Sequence, residues 1–283
     1  SGRQATCEQA GEEGPLRVGD GPMGAGMTIG YHKDLPGGWG ESLLAHESQL
    51  FLVPDEIDDR TAVLTEPLAI GVHAALNAMP DRGESVLVIG SGPIAMATVW
   101  ALRGLGFGGD LVVQAKRKNE VELALALGAS QVIRPGDEAR QALIETGAMA
   151  YQPLAGPEVY SGGGFPIIYD CVGSRSSLDQ AMRYATPRGR IIVLGCSAQI
   201  RKLDLTFLWA RELDIRGFVC YGMESWDGRK LHTFEVTREL LLRKPLPVDR
   251  FVTHVFPLEE YREALGAAAN RRRSGAMKVV FKP

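Results

Sequence analysis

The chain has 283 residues, 45% hydrophobic and 23% charged, with a formal net charge of -3. That suffices for one large domain or two of roughly 100–200 residues, and the near-neutral balance argues against nucleic acid as the main partner. No apolar run reaches the ~20 residues that span a bilayer, and the polar, Gly-rich first twenty residues do not read as a secretory signal. Cys7, Cys171, Cys196 and Cys220 are scattered and form no CxxC pair, so neither a disulfide framework nor a four-ligand structural zinc cluster is expected. A reducing cytoplasm is the expected compartment.

Residues 1–40 are Gly-rich and read as irregular. Residues 42–53 form a mixed apolar stretch suited to one or two short strands. A helix is expected over Asp59–Met79, where Leu64, Leu68, Val72 and Leu76 recur at i+4 and make one apolar face. Pro80-Asp81-Arg82-Gly83 is a turn. From Val86 the rhythm changes. Short apolar strands at Val86–Ile89, Leu111–Gln114, Gln131–Ile133, Pro166–Tyr169 and Ile191–Leu194 alternate with helices at Pro93–Leu105, Glu120–Leu127 and Ser177–Tyr184. Such alternation predicts βαβ units and a parallel sheet. A further strand is expected at Leu213–Val219, helices at Leu231–Arg243 and near Leu258–Ala269, and a last strand at Met277–Phe281.

The stretch from Val86 to Ala95, VLVIGSGPIA, is a buried strand, then G-x-G-x-x-A, then a helix. Gly90 makes the tight turn and Gly92 lets the backbone approach a pyrophosphate. Ala95 is small enough for helix and strand to pack. Pro93 suits a first helical turn, and the amides around Ile94 face the phosphates with the positive end of the helix dipole. The segment therefore predicts a dinucleotide site; the competing reading is a tight turn that binds nothing. NAD enzymes place a carboxylate at the end of the second strand, on the ribose 2′-OH. That position falls on Ala115, followed by Lys116, Arg117 and Lys118. Three cations without a carboxylate favour a 2′-phosphate, hence NADP, with NAD as the alternative. Ligands in open α/β sheets bind at carboxyl ends of strands, so Asp170-Cys171-Val172-Gly173 and Leu194-Gly195-Cys196 belong to the same site. Gly173 and Gly195 would border the nicotinamide ribose. Cys171 and Cys196 read as small space-fillers, having no paired base.

Gly30-Tyr31, the segment 37–41 (GGWGE), the segment 45–50 (AHESQL), Val53-Pro54-Asp55, Glu66-Pro67-Leu68-Ala69, Gly90–Ala95, Asp170–Gly173, Gly189–Gly195 and Glu212–Gly217 follow in one order. In that order they resemble the zinc-type medium-chain dehydrogenases, nearest the threonine, sorbitol and glucose dehydrogenase branch. The resemblance implies an α/β fold: a Rossmann doubly wound parallel sheet (76–244) inserted into a partial GroES-like, β-rich catalytic domain (1–75 and 245–283). It further implies hydride transfer between a nicotinamide cofactor and an alcohol, polyol or matching carbonyl, with zinc polarising the oxygen. Glu66 matches the position that offers a carboxylate to that zinc or its water. Phe218 joins the cofactor-lining residues, Lys278 a cation near the pyrophosphate, and Leu213–Val219 the sheet edge through which a homodimer would form.

The departures from the pattern are specific. The branch's first zinc-ligating Cys and its His-Glu pair lie upstream of the glycine-rich segment, and nothing here matches them. Of the four close cysteines of the structural-zinc lobe, Cys7 could be the last. The chain thus reads as N-terminally truncated, and as given it is expected to hold zinc poorly and to be inactive in alcohol oxidation. His32, His46 and His73 read as ordinary histidines, His254 as part of the return to the catalytic domain, Trp39 as core, and 271–273 as a solvated arginine run. A zinc-free quinone or enone reductase, or a nucleotide-binding module without catalysis, are the competing functions.

Overall fold

The computed structural model describes residues 37–42, 50–196 and 199–282. Cys7, Gly30-Tyr31, His32 and the 45–49 stretch with His46 lie outside them. The chain divides into two units: Ile70–Phe218, and Ser1–Ala69 with Val219–Pro283. Residues 219–244, read from the sequence with the sheet, group instead with the flanking unit.

The helix expected over Asp59–Met79 is two: α1 (Asp59–Ala62) and α2 (Thr65–Asn77). Asp58 caps α1, accepting from the Thr61 amide and hydroxyl at 3.0 Å each. Pro67 explains the break. It has no N–H to give a preceding turn and is tolerated in a first turn, so the helix restarts at Thr65. Leu64, Leu68 and Val72 are fully buried, as their spacing requires, while Leu76, near the end of α2, is half-buried.

The unit Ile70–Phe218 is built on β1 (Val86–Ile89), α3 (Pro93–Gly104), β2 (Leu111–Gln114), α4 (Lys118–Leu127), β3 (Gln131–Ile133) and α5 (Asp137–Glu145). After a short antiparallel hairpin, β4 (Met149–Tyr151) and β5 (Val159–Ser161), come β6 (Phe165–Asp170), α6 (Arg175–Tyr184), β7 (Ala185–Val193), α7 (Thr206–Ala210) and β8 (Asp214–Gly217). Six strands form one parallel sheet in the order β3-β2-β1-β6-β7-β8. The order reverses between β1 and β6, which is the switch point of a doubly wound sheet. β1 and β2 are buried along their whole length, so both faces of the sheet are covered. One face packs Leu87, Ile89, Val112, Ile133 and Ile168 against Leu143 of α5 and Leu178 and Met182 of α6. Arg103 fastens the end of α3 to the connections around it, donating to the carbonyls of Phe107 (2.7 Å), Gly109 (2.9 Å) and Gly128 (2.7 Å). The hydroxyl of Tyr169 donates to the Ala78 carbonyl at 2.6 Å, tying β6 to the segment after α2.

In the flanking unit, β9 (Met223–Trp226) and β10 (Arg229–His232) form an antiparallel hairpin, followed by α8 (Thr233–Arg243). Asp227 and Gly228 both have positive φ, 52° and 70°, as the two central residues of a type I′ turn must. The helix expected from Leu231 therefore starts at Thr233. Then come α9 (Val248–Phe251), β11 (Val252–Phe256), a 3-10 turn at Leu258–Glu260, α10 (Tyr261–Ala269), α11 (Arg271–Ser274) and β12 (Lys278–Phe281). β11 and β12 pair in parallel. Residues 50–54 are irregular rather than a strand. Trp39 is 62% exposed and meets Phe281 edge-on, so the core role expected for it does not hold. Among the described residues, no helix is long and apolar enough to cross a membrane.

Candidate dinucleotide site

The turn between β1 and α3 has the geometry its sequence predicts. Gly90 has a φ of +116°, and a Cβ there would press on Val172 Cγ2 at 3.0 Å. A side chain is excluded both by the backbone and by the neighbour. Gly92 is the N-cap of α3 with no side-chain cap, Pro93 follows at the helix start, and Ala95 is fully buried. The first-turn amides of Ile94 and Ala95 have no acceptor within the helix, so a twelve-residue helix presents an uncapped N-terminus at the switch point. An anion is the natural partner of such an end.

The adjoining strand end is organised by a residue that the sequence places at the site without a role of its own. Asp170, the last residue of β6, is fully buried. Its Oδ1 accepts from the amides of Val172 and Gly173 at 3.0 Å each, and its Oδ2 from the Ser177 hydroxyl at 2.9 Å. Burial raises its pKa, and the three hydrogen bonds act in the opposite direction. The carboxylate fixes the loop that faces Gly90. Gly173 and Gly195, expected to border a ribose, also make room for each other. A Cβ on Gly173 would lie 2.3 Å from the Gly195 carbonyl oxygen. The amides of Leu194 and Gly195 both donate to the Asp170 carbonyl, at 2.9 and 3.1 Å. Burial pushes the Cys171 thiol up to about 12, so it is no nucleophile at neutral pH. Cys196 is exposed. Phe218, just past β8, packs edge-on with His73 at 5.5 Å and lies under the Arg216 guanidinium at 4.6 Å.

The loop after β2 departs from the expectation most. Ala115 is buried and its amide donates to the Ile133 carbonyl at 3.0 Å. Lys116 is exposed. Arg117, however, is held by Glu120, whose side chain is 3% exposed. Glu120 Oε1 takes the guanidinium, and Oε2 accepts from the amides of Lys116 (3.3 Å) and Arg117 (3.1 Å). A carboxylate is thus present in this loop after all, supplied from α4, and it occupies donors that a phosphate would use. Its spacing of three from the N-cap is that of a capping box, and that was the sequence signal. Lys118 faces Glu122 at 3.9 Å.

Glu66 lies in the first turn of α2. Desolvation by the surrounding protein raises its pKa, and the charge of Lys278 lowers it. Among the described residues, no three His, Cys, Asp or Glu side chains converge on one point. Those residues therefore offer a zinc ion Glu66 and no completed ligand set. For a dinucleotide the fit is better: a glycine-only turn, an uncapped helix N-terminus, and a buried amide donor at the end of β2, Gln114 Nε2, that has no partner among the described residues.

The family profile described as Zinc-binding dehydrogenase matches residues 93–234, half of the chain. The chain belongs to the zinc-binding dehydrogenase family. The matched segment starts at the first residue of α3 and takes in all of the sheet except β1. Mouse sorbitol dehydrogenase is 28% identical over 234 residues, which are 82% of this chain and 58% of that one. This zinc-binding dehydrogenase chain thus spans about three-fifths of the length of the curated relatives it matches. Solved structures share its fold, two of them with a nicotinamide cofactor bound. An alcohol dehydrogenase from E. coli CFT073, complexed with NADH, is 21% identical with a TM-score of 0.63, over 81% of this chain and 61% of that one. A protein of Sinorhizobium meliloti 1021 bound to NADP is 22% identical with a TM-score of 0.66, over 88% and 67%. At these identities the likeness is one of fold.

Proposed function

We propose that this zinc-binding dehydrogenase chain binds a nicotinamide dinucleotide and serves hydride transfer between that cofactor and an alcohol, a polyol or the matching carbonyl. The observation that carries the reading is the β1–α3 turn, where Gly90, Gly92 and the uncapped start of α3 stand together at the switch point. Pro93, Ile94 and Ala95 shape the phosphate end of that site. Asp170 holds Cys171, Val172 and Gly173 in position, and Leu194 and Gly195 are hung from the same strand end; these line the nicotinamide half, with Phe218 beyond. Bound NADH and NADP in two proteins of like fold, and the polyol named for mouse sorbitol dehydrogenase, support the cofactor and the substrate class.

The cofactor supplies the hydride, and the protein supplies orientation and electrostatics. A zinc ion, when bound, would polarise the substrate oxygen. Glu66 is the carboxylate this chain would offer it, and its raised pKa suits a group that gains by facing a cation. Among the described residues no three such ligands converge, and one carboxylate holds zinc weakly, so these residues are expected to bind cofactor and to support alcohol oxidation slowly or not at all. Ala115 and exposed Lys116 lean toward NADP; Arg117 and its partner Glu120 pull toward NAD. Pairing of two copies along β8, one of the two edge strands of the sheet, and a cytoplasmic setting complete the proposal; light scattering tests the first of these.

The test is turnover with matched substrates. The chain would be incubated with NADP or NAD and sorbitol, and with NADPH and an enone, each with and without a zinc chelator, following nicotinamide fluorescence. Polyol oxidation, however slow, that the chelator abolishes supports the zinc-assisted reading, and cofactor binding without any polyol oxidation supports the incomplete zinc ligand set. Enone reduction indifferent to the chelator would replace it with a zinc-free reductase.

A further inference from the structure

Gln114 is the last residue of β2, 6% exposed, and its Nε2 is buried without a hydrogen-bond partner among the described residues. An unpaired buried N–H is costly, and native proteins rarely keep one without a use. Packing gives no reason for it. Alternation along β2 puts Gln114 on the face of Val112, and that face is filled by Leu87, Ile89, Ile133 and Leu143. A Leu or Val would fit those neighbours without an orphan donor.

Its position is informative. Gln114 is in register with Ile89, the residue before the Gly90 turn, and with Ile133, the last residue of β3. Gln114 therefore stands at the carboxyl ends of β1, β2 and β3. In a doubly wound sheet each half takes one mononucleotide, and the half whose second strand ends on the ribose takes the adenosine side. Ala115, at that ribose position, points to the opposite face of the strand, so the two residues do not compete for one contact.

We infer that the Gln114 side-chain amide donates a hydrogen bond to the adenosine part of the bound dinucleotide, to an acceptor of its base or ribose, and so selects the nucleotide at this end of the site. The inference rests on the dinucleotide reading above. It accounts for the orphan donor as one satisfied by ligand.

The experiment is calorimetric titration of the full 283-residue chain and its Gln114→Leu and Gln114→Met variants with NADPH, NADH, ADP-ribose and nicotinamide mononucleotide. Melting of the free proteins is recorded alongside. Both variants should bind NADPH, NADH and ADP-ribose about tenfold more weakly, a loss of about 1.4 kcal/mol, and the mononucleotide unchanged. The free variants should melt no lower than the parent, since the orphan donor is gone. Gln114→Met, matched in length, carries the test if Gln114→Leu does not fold. A smaller loss with the hypoxanthine analogue of NADH places the contact on the base; an unequal loss for NADPH and NADH places it on the ribose. Undiminished ADP-ribose binding in the variants overturns the inference and leaves the dinucleotide reading intact. Parent protein that binds none of the nucleotides overturns both.

Discussion

A Cβ on Gly195 would lie 2.1 Å from the amide nitrogen of Gly173, so the loops that end β6 and β7 meet backbone to backbone. Neither neighbour is a flexible side chain that could swing away. Gly195→Ala should therefore destabilise the protein by about 3 kcal/mol, the upper range of overpacking costs, and displace the loop that Asp170 holds. Urea unfolding would show it as a lower midpoint. A midpoint within error of the parent would mean that the loops can part without cost.

Asp170 makes a signed prediction about pH. Its folded pKa lies above the ordinary aspartate value of 3.8 because burial outweighs its three hydrogen bonds. A carboxyl raised on folding adds stability that is fully present below the unfolded pKa and is lost as pH rises through the folded one. The stability advantage of the parent over Asp170→Asn should thus shrink between pH 3.8 and the folded pKa, then level off. An advantage that grows with pH over that window would show the group to be depressed instead.

Tyr169 and Ala78 form a buried pair at 2.6 Å. Tyr169→Phe keeps the ring and removes the donor, leaving the Ala78 carbonyl unpaired. The expected cost is about 1–3 kcal/mol, read from the denaturation midpoint with an unchanged slope. A neutral substitution would mean that water or a shifted donor reaches that carbonyl.

Glu120 sets the charge of the loop after β2. Glu120→Gln retains an oxygen for the amides of Lys116 and Arg117 and releases the guanidinium from its countercharge. The ratio of NADPH to NADH affinity should rise on the order of threefold, the scale of a partly exposed ion pair. A ratio that does not move would remove Lys116 and Arg117 from cofactor discrimination.

The parallel sheet was legible because its central strands are short and mostly apolar and alternate with helices; β1, β2 and β3 fall on the residues their patterns predict. Less was legible where polar residues carry structure. α5, DEARQALIE, has a mixed face that periodicity does not separate from loop, and the β9–β10 hairpin announced itself only through Asp227-Gly228. At the site, the glycine turn could be read from spacing because its constraint is local. The pairing of Glu120 with Arg117 was signalled by its capping-box spacing, but the bracing of the loop by Asp170 and the mutual contact of Gly173 and Gly195 join residues by their surroundings in three dimensions. A list of residue types at strand ends does not say which donors are already taken.

The proposed function stands or falls with a nicotinamide dinucleotide bound at the β1–α3 turn. Its most direct test is calorimetric titration of the chain with NADPH and NADH beside Gly92→Val, which puts a branched side chain where the pyrophosphate would approach. Saturable one-site binding to the parent is expected, weakened more than about tenfold in the variant, with the free protein destabilised by no more than about 1 kcal/mol, the cost of a poor N-cap residue. Absence of binding of both nucleotides to the parent, or equal binding by the variant, would contradict it.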